Sequence, residues 1–178
     1  MIVWILIILA TVAADQVSKL LVVNFLSREE SLPIIKGILQ FTYVENDGAA
    51  FGSFDDKRWV FMIASTVMIV GLIVYLWKFP PKSKLACVAM AMIVGGGIGN
   101  MIDRIRLEYV IDFIDFCAFP ELWMWVFNIA DSAVCVGCAM LFLWAVISSV
   151  EDFKADKRAK SCMEAENASE SENNGDEA

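Results

Sequence analysis

Four runs of almost unbroken Val, Ile, Leu, Met and Phe leave this chain few ways to fold. They cover residues 2–25, 59–77, 85–102 and 122–150. Each meets the ~20-residue requirement of a helix that crosses the ~30 Å hydrocarbon core of a bilayer. The chain of 178 residues is 58% hydrophobic and has a mean hydropathy of +0.62. That is too apolar for a soluble domain of this size.

The flanks give these runs a direction. Lys78, Lys82 and Lys84 lie between the second and third runs with no acid nearby, and Lys154, Lys157, Arg158 and Lys160 follow the fourth. Basic loops stay in the cytoplasm. Both termini and the middle loop are therefore expected inside, with residues 26–58 and 103–121 facing outward. Val12-Ala13-Ala14 resembles a signal-peptidase cleavage site. No Lys or Arg precedes that run, however, and it stays apolar beyond Lys19, so it reads as a retained span.

Outside the spans, Phe41-Thr42-Tyr43-Val44 favours strand and Asn46-Asp47-Gly48 favours a turn. The expected fold is an all-α membrane protein: four transmembrane helices with a small β-sheet on the periplasmic or outer face, formed within about residues 30–55. Residues 1–150 make the membrane domain, and 151–178 make a cytoplasmic acidic tail. From about Ser161 the tail is rich in Glu, Ser and Asn and lacks aromatics, a composition expected to be disordered.

Charge excludes several functions. The net charge is -8, but residues 151–178 hold nine acids and four bases, against thirteen and ten in the rest. The acidity belongs largely to the tail and gives no footing for nucleic acid. The chain has no histidine, which removes Ser-His-Asp and Cys-His nucleophile systems and histidine-ligated zinc. Cys87, Cys135 and Cys138 lie in apolar runs and read as buried small hydrophobes.

Five short patches interrupt the apolar background. They are Asp15-Gln-Val-Ser-Lys19, Asn46-Asp-Gly-Ala-Ala-Phe51, Gly99-Asn-Met-Ile-Asp-Arg104, Val110-Ile-Asp-Phe-Ile-Asp115 and Phe127-Asn-Ile-Ala-Asp131. Ionisable groups at membrane depth cost a few kcal/mol or more and mark function by default. At ~1.5 Å per residue, Asp15, Asn100 and Asp131 lie ~21, ~22 and ~27 Å from the inner ends of their helices. All three fall in the outer part of the hydrocarbon core. Asp15 and Lys19 are four apart, Asn100, Asp103 and Arg104 three and four apart, and Asn128 and Asp131 three apart, so each set shares a helix face. Gly95-x-x-x-Gly99 is a small-residue step that lets a neighbouring helix approach closely.

Two carboxylates brought together in a dry site cannot both ionise easily, so one keeps a proton while the other accepts one. Asp112 and Asp131 are the candidate pair for activating water against an amide carbonyl and protonating the leaving amine. Spacing alone equally allows Asp131 to pair with Arg104 or Lys19 as structural glue. Asn100 and Asn128 offer both donors and acceptors to a substrate or to the aspartates. Arg104 is a candidate anchor for a substrate carbonyl or lipid oxygen, or a partner of Asp103. Asp103 itself reads as structural and Asp115 as ambiguous. Asn46 and Gly48 offer a flap over the site, or an ordinary turn.

These patches, in this order, resemble the bacterial lipoprotein signal peptidase family, also called signal peptidase II. The likeness covers roughly residues 5–150. It implies a membrane aspartyl endopeptidase that cuts diacylglyceryl-modified prolipoproteins just before the lipidated cysteine. It puts the catalytic dyad on Asp112 and Asp131. Substrate-contacting or site-supporting positions fall on Asp15, Lys19, Asn46, Gly48, Asn100, Arg104, Asn128 and Ala130. The resemblance further implies a location in the inner membrane with the site near its outer face, contact with membrane lipid, inhibition by globomycin-like cyclic peptides, and no cofactor or metal. The long acidic tail is not part of that pattern.

The rival from another class is a small transporter or proton relay through Asp15, Asp112 and Asp131. A relay needs polar groups through the full depth, and the inner halves of the second to fourth runs are almost purely apolar. A non-catalytic membrane scaffold is the other rival, and it would tolerate Asp112→Asn.

Overall fold

A computed structural model describes residues 2–26, 30–47, 58–118 and 125–175. Along the chain run α1 (Ile2–Phe25), β1 (Leu32–Ile35), β2 (Leu39–Asn46), α2 (Arg58–Lys78), α3 (Lys84–Arg106), β3 (Val110–Phe116), β4 (Val126–Phe127) and α4 (Ile129–Gly175). Residues Met1–Leu141 form one compact unit and Phe142–Ala178 a second.

In the first unit α1 is packed inside out. Its buried residues are Asp15, Lys19 and Val22, while Leu6, Leu9, Val17, Leu20 and Leu21 are exposed. Water would reverse that choice, because burial of apolar surface drives soluble folds. A lipid environment favours it, since hydrocarbon solvates the apolar face and polar groups must find partners inside. By length and composition α1, α3 and Ile129–Ala155 of α4 are able to cross a membrane, and in α2 the described apolar stretch is the shorter Met62–Lys78. The chain is a multi-pass membrane protein.

Small residues bring the helices together. A Cβ on Gly95 would lie 2.7 Å from Thr11 Cβ, and one on Gly99 would lie 2.6 Å from Asp15 Oδ2. The Gly95-x-x-x-Gly99 step therefore seats α1 on α3, as the spacing predicts. Gly96 does the same for α4, where a Cβ would run into the backbone oxygen of Ala130. Gly137 meets Ala89 O at 2.8 Å in the same sense.

The strands form one antiparallel sheet in the order β1-β2-β3-β4. Gly37, at φ 74°, takes the left-handed turn of the β1–β2 hairpin. Irregular register between Phe41 and Val44 shifts β2 against β3, so that Val44 faces Asp112 and Asn46 faces Val110. On the face toward the end of α1, Ile111 and Phe113 pack with Val22, and Phe41 meets Phe113 edge-on at 5.6 Å between ring centroids.

Three expectations change. The fourth helix begins at Ile129 rather than near residue 122, because Val126-Phe127 pairs with β3 as β4. α4 is helical through Gly175, where composition points to disorder from about residue 161. Ala, Glu and Lys propagate helix without needing a core. Cys135 and Cys138 are free and exposed and Cys87 is half-buried, so none of the three is a core residue. In the second unit, Phe142, Leu143, Val146, Ile147, Val150 and Phe153 are likewise exposed along α4.

Candidate active site

The site begins with how α4 starts. Asn128 Oδ1 accepts the backbone N–H of Asp131 at 2.8 Å, and Asp131 Oδ2 accepts the backbone N–H of Asn128 at 3.4 Å. This reciprocal cap fixes the Asp131 carboxylate over the helix N-terminus. The Asn128 amide is then free to act elsewhere. Its Nδ2 donates to Asp112 Oδ1 at 2.6 Å, to Asn100 Oδ1 at 3.0 Å and to Ile111 O at 3.4 Å. One fully buried asparagine therefore ties the strand that carries Asp112 to the helix that carries Asp131.

The other Asp112 oxygen, Oδ2, accepts from Asn46 Nδ2 at 2.8 Å, which β2 delivers across the sheet. Asp131 Oδ1 accepts from Asn100 Nδ2 at 2.7 Å. Both carboxylates thus hang on neutral amides. Burial pushes the Asp112 carboxyl up to about 6, the Asp131 charge adds to the rise, and the bonds from Asn46 and Asn128 and the Lys19 charge work against it.

Behind the pair lies a clamp of full charges. Lys19 Nζ sits 2.9 Å from Asp15 Oδ2 and 2.7 Å from Asp103 Oδ2, all but sealed from solvent, and donates to Asn100 Oδ1 at 3.0 Å. Each acid also holds a backbone amide. Asp15 Oδ1 accepts from Ala130 N at 2.9 Å and Asp103 Oδ2 from Ile111 N at 3.2 Å. Ala130 immediately precedes Asp131, and Ile111 immediately precedes Asp112. Gln16 Nε2 closes the clamp by donating to Asp103 Oδ1, Asp15 Oδ2 and Gly99 O. No buried side-chain polar atom among the described residues lacks a partner.

Spacing alone allows Asp131 to pair with Arg104 or Lys19, and neither pair forms. Lys19 pairs with Asp15 and Asp103, and among the described residues Asp131 forms no ion pair. Nor does Arg104 pair with Asp103. Its Nη1 donates to Asn100 O at 3.4 Å, and the side chain lines a cleft.

That cleft, about 430 Å³, is lined by Asp112, Asp131, Asn46, Asn100 and Arg104 at its polar end. Met68, Ile69 and Leu72 of α2 and Val134 and Cys135 of α4 form an apolar side, with Trp125 beside β4. A polar end with two carboxylates, continuous with a slot between helices, suits an apolar chain carrying a peptide bond to that end.

Of the candidate residues, Asp112, Asp131, Asn46, Asn100 and Arg104 meet in the cleft, with Asn128, Asp15, Lys19 and Ala130 directly behind. Gly48 lies outside the described residues. Asp115 stands apart on the sheet, accepting from Gln40 Nε2 at 2.7 Å and Thr42 Oγ1 at 2.9 Å. Sequence reasoning overlooked Gln16 and the amide-holding part of Asp103. The available signal was the pairing of Asp103 with Asn100 at i, i+3. The α2 wall had no signal, because apolar residues in a span look alike whichever way they face.

Residues 7–147 match the family model described as "Signal peptidase (SPase) II". The chain is 41% identical over 139 residues to the lipoprotein signal peptidase of Halothermothrix orenii, covering 78% of this chain and 92% of the relative. It is 45% identical over 137 residues to that of Caldanaerobacter subterraneus subsp. tengcongensis, covering 77% and 91%, and 37% identical over 151 residues to that of Halalkalibacterium halodurans, covering 85% and 96%. Two solved bacterial membrane enzyme structures align with a TM-score of 0.75 each. One is 29% identical over 84% of this chain and 90% of its own, and the other 30% identical over 82% and 93%.

Proposed function

The chain belongs to the signal peptidase II family, and from that membership we propose that it is an aspartyl endopeptidase of the inner membrane with Asp112 and Asp131 as its dyad. It removes signal peptides from diacylglyceryl-modified prolipoproteins, cutting just before the lipidated cysteine. The observation that carries the mechanism is the pair of carboxylates, one from β3 and one from α4, set in one cleft on neutral amides while every nearby lysine bond goes elsewhere.

One aspartate is ionised and the other protonated. The ionised one takes a proton from water as the water oxygen bonds to the scissile carbonyl carbon. The protonated one gives its proton to the carbonyl oxygen, forming a gem-diol. The first aspartate then passes the proton it took from water to the amine nitrogen as the C–N bond breaks, and the second recovers a proton from a diol hydroxyl as the carboxyl product forms. Asn46, Asn100 and Asn128 hold the dyad. Arg104, at the cleft, anchors a substrate carbonyl or lipid oxygen. Lys19 lends positive charge from behind without neutralising either acid. Four spans with both termini in the cytoplasm would set the cleft near the outer leaflet, the sheet at the outer face and Gly48 in a flap over the site. The signal peptide, an apolar helix, would enter between α2 and α4.

A proton relay fits less well. Below Asn100 the buried positions of α3 are Ala86, Ala89, Met90, Ala91, Ile93, Val94, Gly95, Gly96 and Gly99, whose side chains offer a proton nothing to bind.

The test is cleavage of a purified diacylglyceryl-modified precursor by wild type, Asp112→Asn and Asp131→Asn proteins. Wild type cleaves and is blocked by globomycin, while both variants insert and are inert. Full cleavage by either variant would remove that residue from the dyad.

A further inference from the structure

We propose that the end of the bundle remote from the dyad holds one anionic phospholipid, wedged between the start of α1 and the start of α3. It is independent of the reaction proposed above. The two helices touch closely where Gly95 and Gly99 receive Thr11 and Asp15. Toward their starts they part, and a gap of about 360 Å³ opens between them. Val3, Trp4 and Ile7 form one wall, Cys87 and Val88 the other, and Pro81, Lys82, Ser83 and Lys84 the mouth. Trp4 is eleven residues from Asp15, ~16 Å along the helix, so the gap belongs to the opposite leaflet.

Chemistry narrows the occupant. The walls are apolar and have nothing to offer ordered water, which needs two to four polar partners. In a bilayer such a slot suits an acyl chain. The mouth is cationic, with Lys82 and Lys84 both exposed. No acid occurs between residues 57 and 102, so these charges have no acidic neighbour along the chain. Ser83 caps α3, and its neighbouring backbone N–H groups add partial positive charge at the same point. A basic mouth above an apolar slot between spans fits an anionic headgroup with one chain inserted. Trp4 sits in the slot wall at the level where tryptophans favour the headgroup boundary.

Trp4 also supplies the probe. The purified full-length chain is reconstituted into phosphatidylcholine vesicles containing a minor fraction of lipid with brominated chains, either phosphatidylglycerol or phosphatidylcholine. The Trp4 emission is the wild type signal less that of Trp4→Phe. Brominated phosphatidylglycerol is expected to quench this component well beyond brominated phosphatidylcholine at equal mole fraction. Lys82→Gln/Lys84→Gln is expected to remove the advantage, since each lysine at a membrane surface contributes roughly fivefold to anionic-lipid preference. Both side chains are exposed, so the double variant folds, and circular dichroism checks it. Equal quenching by the two lipids in wild type, or an advantage that survives the double substitution, overturns the proposal. Quenching by neither means the slot excludes lipid and overturns it as well. Raising salt with inorganic phosphate separates the sources of anion: a lipid seated by its chain retains its advantage, and its loss to free phosphate refutes the chain-in-slot geometry.

Discussion

Asn128 does two jobs with one side chain. Its oxygen caps α4 and its nitrogen holds Asp112. Asn128→Ala should therefore cost about 1 kcal/mol or more for the lost cap, and cleavage should fall much further than stability, as read by thermal unfolding against cleavage rate. Asp112 carries its own pH signature. A carboxyl lifted from 3.8 to about 6 binds its proton more tightly folded than unfolded, so its contribution to stability is full below about 4 and is lost as pH rises through about 6. The size is on the order of 3 kcal/mol at 1.36 kcal/mol per unit. Unfolding midpoints of wild type should decline across that window, and Asp112→Asn should flatten the decline. Lys19 is the complementary case. Removing it leaves Asp15 and Asp103 buried against each other, and loss of one partner from a buried charged set costs about 3–5 kcal/mol. Lys19→Met should lower the unfolding midpoint steeply, and adding Asp15→Asn and Asp103→Asn should restore part of it without restoring cleavage.

At the scale of elements, glycines decide which helices meet. Gly96→Ala should push α4 away from α3, because the new methyl would strike the Ala130 backbone, at a cost of about 1–3 kcal/mol. It should also slow cleavage, since α4 carries Asp131. Gly71 on α2 has nothing within 4 Å of its would-be Cβ, so Gly71→Ala should be neutral or stabilise by about 0.5–1 kcal/mol. Thermal unfolding in one detergent compares the two. The elements were unequally legible. α1, α2 and α3 coincide with their apolar runs to within a few residues, because a membrane demands length and hydrophobicity and little else. β3 and β4 were hidden, since Val110–Phe116 is too short to reveal itself by period and Val126-Phe127 is apolar like the run it abuts. The mark that separates β4 from α4 is Asn128 with Asp131 three residues on, a capping pattern that spacing analysis read only as a shared helix face. The clamp was half legible: the i, i+4 spacing of Asp15 and Lys19 predicts their pairing, while Asp103 joins through a contact between helices that no local pattern encodes.

For the whole molecule, the family match ends at residue 147, and the described cleft draws on no residue beyond Cys135. A chain ending at Lys160 should therefore insert and cleave a lipidated precursor at the wild type rate, measured on equal amounts of purified protein. A greater consequence lies in how the two acids are assembled. Asp112 is held by the residue that starts the last span, and Asp131 arrives with that span. If the two acids are the dyad proposed above, a nascent chain that still lacks α4 carries one of them without its counterpart. On that reading, proteolytic competence would wait for α4, and an unfinished chain would stay quiet for want of its second acid.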